Sequence, residues 1–323
     1  MKAFALRLLA FCATAFAVLL LFAAFTPPEM EGEWFARRTS EHDTYRRIPE
    51  FREWALKGGP EVLILGPSTG YLGIDPAAFQ ARGHSTFNLA SAMQTPEVSL
   101  ALLNWSLEMG AKPDAILLDV YPRVWSQSSL PSIKDLIVNR PDPLDRHFLR
   151  LAVRSEDPKT ILNALYFHFR DRFQKPHDWP PQPHLYHLGH THSRKEVSPI
   201  KYFNPKKPQL NDANREGFRQ LRRTCEENGI QLILSMPPLP CKTEFNKPEA
   251  MKGLPWIAGS DWPLERVDTL YYDDHHLRGI GAELYSEWLA EQVSALLLAP
   301  NDPLLVSYPT QQTHPQFRST ANP

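Results

Sequence analysis

The chain opens on its most apolar stretch. Met1 to Phe25 reads MKAFALRLLAFCATAFAVLLLFAAF, and from Leu8 to Phe25 it carries no charge for 18 residues. That length lies between the apolar core of a secretory signal and a spanning helix of about 20 residues. A cleavage site needs small residues in an A-x-A-like pattern. Ala23-Ala24-Phe25 before Thr26-Pro27-Pro28 fits that poorly, which favours an uncleaved signal-anchor over residues 1–27. Lys2 and Arg7 both precede the run, so the positive-inside rule leaves the N-terminus in the cytoplasm and sends the rest outside.

Residues 28–59 turn polar, and the spacing predicts a stalk that leads into an amphipathic helix over 44–57. Glu61-Val62-Leu63-Ile64-Leu65-Gly66 follows, a short β-rich apolar run that suits a buried parallel strand. Ser85-Thr86-Phe87-Asn88-Leu89 is a second strand candidate. Val98, Leu102, Trp105 and Met109 recur at helical spacing before Gly110, and Ala115-Ile116-Leu117-Leu118-Asp119-Val120 forms a third strand. After residue 124 the rhythm stops. It resumes with a helix over 211–228, the strand Ile230-Gln231-Leu232-Ile233-Leu234-Ser235, an irregular stretch over 236–264, and a last helix over 279–298. Strands alternating with helices predict an α/β fold, a three-layer α/β/α sandwich with a parallel sheet of about five strands. The expected domain spans 60–299 and contains a Pro/His-rich insertion over 125–208. Residues 300–323 are polar and proline-bearing, the pattern of a disordered tail.

Composition sharpens this outline. Proline is 31 of 323 residues and glycine 15, so proline is roughly twice the usual 5%. The excess falls in the insertion, the 236–264 stretch and the tail, which marks these as loop-rich and leaves the strand interiors free of proline. Lys and Arg number 35 against 36 Asp and Glu. A nucleic-acid binder shows a basic excess, so that class is excluded. Of three cysteines, Cys12 lies in the apolar run. Cys225 and Cys241 could bridge in an oxidising compartment or each stay a free thiol. No Cys/His zinc spacing occurs.

Two places carry chemistry. Gly66-Pro67-Ser68-Thr69 stands at the carboxyl end of the first strand, where open α/β sheets bind ligands. A serine there is either a helix cap or a nucleophile with backbone N–H groups beside it. Asp273-Asp274-His275-His276-Leu277 precedes the last helix. An Asp three residues before a His in a tight loop can reach Nδ1 and leave Nε2 free for a serine. His275 and His276 read alternatively as a metal pair, for which no third ligand is evident.

Taken together, the two blocks resemble the SGNH (GDSL-like) hydrolase superfamily. Gly66-Pro67-Ser68 matches its first block, and Asp273-x-x-His276 with Leu277 and Gly281-Ala282 its last. The words Gly66-Pro67-Ser68-Thr69, Tyr71, Gly73-Ile74-Asp75-Pro76, Phe87-Asn88-Leu89-Ala90 and Thr95-Pro96 resemble a membrane-anchored extracytoplasmic branch. That branch contains the alginate O-acetylation and D-alanine transfer proteins. The likeness covers 60–124 and 211–298.

The resemblance implies an SGNH/flavodoxin-like sheet and a single-pass protein of the bacterial cell membrane with its domain in the periplasm. It implies an esterase or O-acyltransferase that needs no cofactor and acts on an envelope glycan or lipid-linked acceptor, with a membrane-bound acyltransferase as a partner. Ser68 is then the nucleophile, His276 the base and Asp273 its orienting acceptor, with Asp274 the rival for that last role. The sequence departs from the family at three points. Pro67 replaces the usual Asp, Met93 stands near the second-block Gly, and Asp119-Val120-Tyr121-Pro122-Arg123 stands where an Asn is expected. Asn88 and Arg123 are candidate substitutes for the missing oxyanion donor, whose loss elsewhere costs about 10²–10³ in rate; Asn88 reads equally as a turn residue and Arg123 as a surface ion pair. These departures keep open a second class, a catalytically silent SGNH-fold module that binds glycan or a partner.

His184, His187, His190 and His192, with Tyr186 and Trp179, read as a polar cap loop or a carbohydrate-binding rim. Arg219, Arg222 and Arg223 read as the solvated face of their helix.

Overall fold

The computed structural model describes residues 1–26, 44–139, 146–173, 186–191, 211–240, 249–264 and 268–298. Residue 241, the tail, most of the stalk and the Pro-rich part of the insertion, with Trp179, His184 and His192, lie outside them.

The chain begins with helix α1 (Lys2–Phe25), then α2 (Thr44–Ala55) and strand β1 (Val62–Leu65). Two short helices, α3 (Ser68–Gly73) and α4 (Pro76–Gln80), lead to β2 (Thr86–Asn88), α5 (Pro96–Glu108) and β3 (Ala115–Asp119). The insertion contributes α6 (Pro122–Trp125), α7 (Leu130–Asn139), α8 (Arg146–Arg154), α9 (Pro158–Phe173) and a hairpin of β4 (Tyr186–His187) and β5 (His190–Thr191). The chain closes with α10 (Asp212–Glu227), β6 (Gln231–Met236), β7 (Trp256–Ala258) and α11 (Gly279–Leu298).

The sheet runs β2-β1-β3-β6-β7, every pair parallel. β1, β3 and most of β6 are buried on both faces, which explains why they read as continuous apolar runs. Side chains alternate between two cores. Leu63, Leu65, Ile116, Leu118, Leu232 and Leu234 pack with Phe51, Leu102, Trp105 and Phe218 from α2, α5 and α10. Val62, Ile64, Leu117 and Ile233 pack on the other face with Phe79, Tyr285, Leu289 and Val293 from α4 and α11. The result is the α/β/α sandwich. From β1 the chain moves to β2 on one side and returns to β3 on the other. The strand order therefore reverses between β1 and β3, and a ligand crevice is expected at their carboxyl ends.

Two local readings change. β7 lies in the stretch expected to be irregular, because three residues between Gly253-Leu254-Pro255 and Gly259 are too short to show a period. The insertion, read as Pro/His-rich with a helix over 158–173, has that helix and also builds core. Ile133, Leu136, Phe148, Leu151, Ala164 and Phe167 join the same apolar cluster as α5 and the sheet. Fully burying one such side chain stabilises by about 1.5–3 kcal/mol.

Helix α1 is long and apolar enough to cross a membrane. Most of its surface is exposed, but Ala23 is buried, and Phe16 and Phe22 meet Phe169 and Tyr166 of α9 at ring-centroid distances of 5.4 Å each. Cys225 in α10 is a buried free thiol whose pKa burial pushes up to about 12.

The hairpin is fastened to the carboxyl end of the sheet. Leu188 and Gly189 turn it with φ of 45° and 90°, the signature of a type I′ turn. A Cβ on Gly189 would lie 1.7 Å from the Asn88 carbonyl oxygen, so glycine is required there. Asn88 N–H donates to the Leu188 carbonyl at 2.9 Å. Buried Arg47 of α2 donates to the carbonyls of Gly189 (2.6 Å) and Ala90 (3.0 Å) and to Thr191 Oγ1 (3.0 Å), with its guanidinium over the Tyr71 ring. Arg47→Leu strands three buried acceptors and is expected to cost about 3 kcal/mol. Urea unfolding checks this, and a change below about 0.5 kcal/mol contradicts it.

Candidate active site

The site is built where β1 ends. Gly66 leaves the strand with φ of 137°, and a Cβ there would sit 2.7 Å from Asp119 Cβ and 2.8 Å from the Asp119 carbonyl oxygen. Only glycine permits that approach. Pro67 follows as the N-cap of α3, its carbonyl accepting Gly70 N–H at 2.9 Å. Ser68 is therefore the first helical residue, where the backbone N–H has no partner inside the helix.

The loop before α11 supplies the other half. Asp273 Oδ1 accepts the backbone N–H groups of His275 (2.9 Å) and His276 (2.7 Å), which folds the loop back on itself. Asp273 Oδ2 lies 2.7 Å from His276 Nδ1, and His276 Nε2 lies 2.8 Å from Ser68 Oγ. The chain thus joins Ser68, His276 and Asp273 in one hydrogen-bonded line across a separation of 208 residues. Burial works against the Asp273 carboxylate. The hydrogen bond from His276, the charge of both histidines and the His275 N–H outweigh it and hold the group well below the usual carboxylate range.

Asp274 serves a different ring. Its Oδ1 lies 2.5 Å from His275 Nδ1, and its Oδ2 lies 4.0 Å from Arg123. The rings form a column. Tyr121 stacks on His275 (5.1 Å between centroids, 6° between planes), His275 lies 3.8 Å from His276, and Tyr272 stacks on His276 (5.1 Å, 9°). Stacking on both sides restricts how the imidazoles turn, and it sets a tyrosine π-face against a ring that gains charge when protonated. Asp273, His275 and His276 each offer one potential ligand atom, and these atoms lie within 4.8 Å of one another. Both Nδ1 atoms already face carboxylates, so the cluster has the form of two Asp–His pairs.

The remaining candidates fall out differently. Met93 has φ of 55°, the left-handed conformation that the glycine of the resembled family adopts freely. Its turn is tied to the Gly66–Ser68 turn by Ser91 N–H donating to the Gly66 carbonyl at 3.1 Å and is closed within itself by Ser91 Oγ donating to Gln94 Oε1. Neither Ser68 N–H nor Met93 N–H is engaged among the described residues. Asn88 is buried, and its amide hydrogens go to the carbonyls of Gly70 (3.0 Å) and Ile74 (2.8 Å), while its oxygen accepts Ala90 N–H. It braces α3 and has no hydrogen left to donate to an oxyanion. Arg123 belongs to the His275 side of the loop. His190 is buried in the hairpin rather than on a rim. Arg219 and Arg222 pair with Glu216 and Glu226 on the exposed side of α10. They line an open cleft of about 430 Å³ with Arg215 and Arg223.

Sequence reading missed Thr69, whose hydroxyl donates to Asp119 Oδ2 at 2.5 Å, and the two stacking tyrosines. An aspartate ending a strand at the switch point was the available signal for Asp119. No family model matches the chain, and no curated protein matches it.

A depressed Asp273 pKa means that its contribution to stability is present above the unfolded value near 4 and is lost as pH falls below it. Thermal melts from pH 7 down to pH 3 are expected to show Asp273→Asn closing on wild type as the pH drops. A constant gap contradicts the assignment.

Proposed function

We propose that this chain is a membrane-anchored SGNH-type serine esterase or O-acyltransferase of the periplasmic face. The observation that carries the reading is the Ser68–His276–Asp273 line, with hydrogen-bonded distances of 2.8 and 2.7 Å. A serine is a weak nucleophile until a base takes its proton, and the base works only if its tautomer is fixed. Asp273 at Nδ1 fixes it and leaves Nε2 for Ser68.

Ser68 Oγ attacks the ester carbonyl and its proton passes to His276 Nε2. The tetrahedral oxyanion faces the N–H groups of Ser68 and Met93. The intermediate collapses as His276 returns the proton to the leaving alkoxide, giving acyl-Ser68 and an alcohol. Water or a sugar hydroxyl then attacks, again losing its proton to His276, and frees Ser68. The anchor α1 holds this chemistry at the membrane, which fits an envelope glycan or lipid-linked acceptor.

One observation favours a silent binding module of the same fold. Asn88 has spent both amide hydrogens, and β3 ends in a carboxyl rather than an amide, so the oxyanion relies on two backbone donors. The cost of a lost donor is about 10²–10³ in rate, which slows an enzyme without abolishing it.

Hydrolysis of a small acetyl ester by the detergent-solubilised full chain separates the two. Ser68→Ala is expected to lose about 10³-fold or more of kcat, and chelator is expected to leave the wild-type rate unchanged. Full activity in Ser68→Ala ends the serine reading, and loss of activity with chelator points instead to a metal at His275 and His276.

A further inference from the structure

We propose that Asp119 is a positioning residue of the nucleophile turn and that it works as a neutral carboxylic acid beneath Ser68. The inference deepens the serine reading and rests on it.

Asp119 ends β3 at the switch point and is 1% exposed. Its Oδ2 is bonded to Thr69, the residue after the nucleophile, at 2.5 Å. Its Oδ1 has no partner among the described residues. The fit around it is tight on both sides of Ser68. A Cβ at Gly66 would collide with Asp119 Cβ, and one at Gly70 would sit 3.4 Å from Asp119 Oδ2 and 3.1 Å from Ala90 Cβ. The first turn of α3 therefore cannot shift without moving this carboxyl.

Its neighbours supply no charge. From β1 and α3 come the Gly66 and Gly70 backbones and the Thr69 hydroxyl. From β6 comes Ser235, its register partner, whose hydroxyl is shared with Tyr285 of α11 at 3.0 Å. Tyr285 and, beyond it, Tyr271 are the titratable groups on that side, and burial together with Asp119 and Tyr271 raises the Tyr285 pKa. No Lys, Arg or His among the described residues acts on Asp119. A buried carboxylate with one hydrogen bond and no cation is costly. Burial accordingly pushes the group up to about 7, against the opposing Thr69 bond. Ionised, it would place a negative charge beneath the N–H groups that meet the oxyanion, which opposes the transition state. Neutral, it keeps the link to Thr69 without that penalty.

The rate should then fall on the alkaline side as Asp119 loses its proton. The experiment measures p-nitrophenyl acetate hydrolysis from pH 5 to 9 and thermal unfolding from pH 4 to 9. It uses the full chain in detergent as wild type, Asp119→Asn and Thr69→Val. Wild type is expected to lose about fivefold in kcat between pH 7 and 9, Asp119→Asn to hold its rate there, and Thr69→Val to lose about tenfold at every pH.

An acid whose pKa is raised on folding adds stability at low pH that is lost as pH climbs from its unfolded value to its folded one. The melting advantage of Asp119→Asn over wild type should therefore widen from about pH 4 to about pH 7 and stay level above. An unchanged alkaline fall in Asp119→Asn, or parallel melting curves, overturns the proposal. If wild type hydrolyses nothing, the serine reading fails. The melts then decide Asp119 alone, a widening gap upholding the buried neutral acid and parallel curves removing it. If Asp119→Asn does not fold, the wild-type infrared difference between pH 6 and 8 decides. Loss of a protonated-carboxyl band upholds the proposal, and no such band overturns it.

Discussion

The close approach of Gly66 to the end of β3 sets the geometry of everything at the carboxyl edge of the sheet. A side chain at 66 would overlap Asp119. The chain can therefore leave β1 only with a glycine conformation, and it enters α3 at once. That fixes Ser68 as the first residue of a helix, with its N–H open and its hydroxyl facing the loop before α11. It also aims Thr69 back at Asp119 and lets the Gly66 carbonyl hold the turn that carries Met93. The parallel order with its reversal between β1 and β3 explains why these groups meet there and nowhere else along the strands.

Two further devices stiffen this edge from outside the sheet. Arg47 and the type I′ hairpin clamp the far side of β2, and Asn88 ties α3 to that strand through the Gly70 and Ile74 carbonyls. The four-ring column holds both imidazoles from the loop side. The two carboxylates of the line and the turn sit in opposed environments. Asp273 gains hydrogen bonds and positive neighbours and stays ionised, whereas Asp119 has burial and one hydroxyl and resists ionisation. Such divergence between two acids within one site is how a fold assigns them different work.

The sequence made the framework legible because its signals are local. Three of the five parallel strands, β1, β3 and β6, are apolar runs that end in turns, and α5, α10 and α11 have apolar spacings with clear stops. The Asp273-x-x-His276 spacing was readable because a folded loop of that length brings the carboxylate back to Nδ1. β7 was not readable, since three residues show no period. In the insertion the helix over 158–173 was readable, but α7, α8 and the burial of Phe148, Leu151 and Phe167 were not, because proline and histidine around them masked the apolar spacing. Asn88 had two readings, oxyanion donor or turn residue; its oxygen does accept Ala90 N–H in a turn, but where its amide hydrogens point depends on carbonyls 14 and 18 residues away. Arg47 reaches the hairpin across more than 140 residues and Thr69 reaches Asp119 across 50, and no pattern in a short window encodes either.

The central claim is that Ser68 is an activated nucleophile. A fluorophosphonate reacts with such a serine and with few unactivated ones. Intact-mass analysis of the folded full chain after treatment is expected to show a single adduct, mapped to Ser68 and lost in His276→Ala. Folded protein that gains no adduct, or an adduct at Ser68 that persists in His276→Ala, contradicts the account.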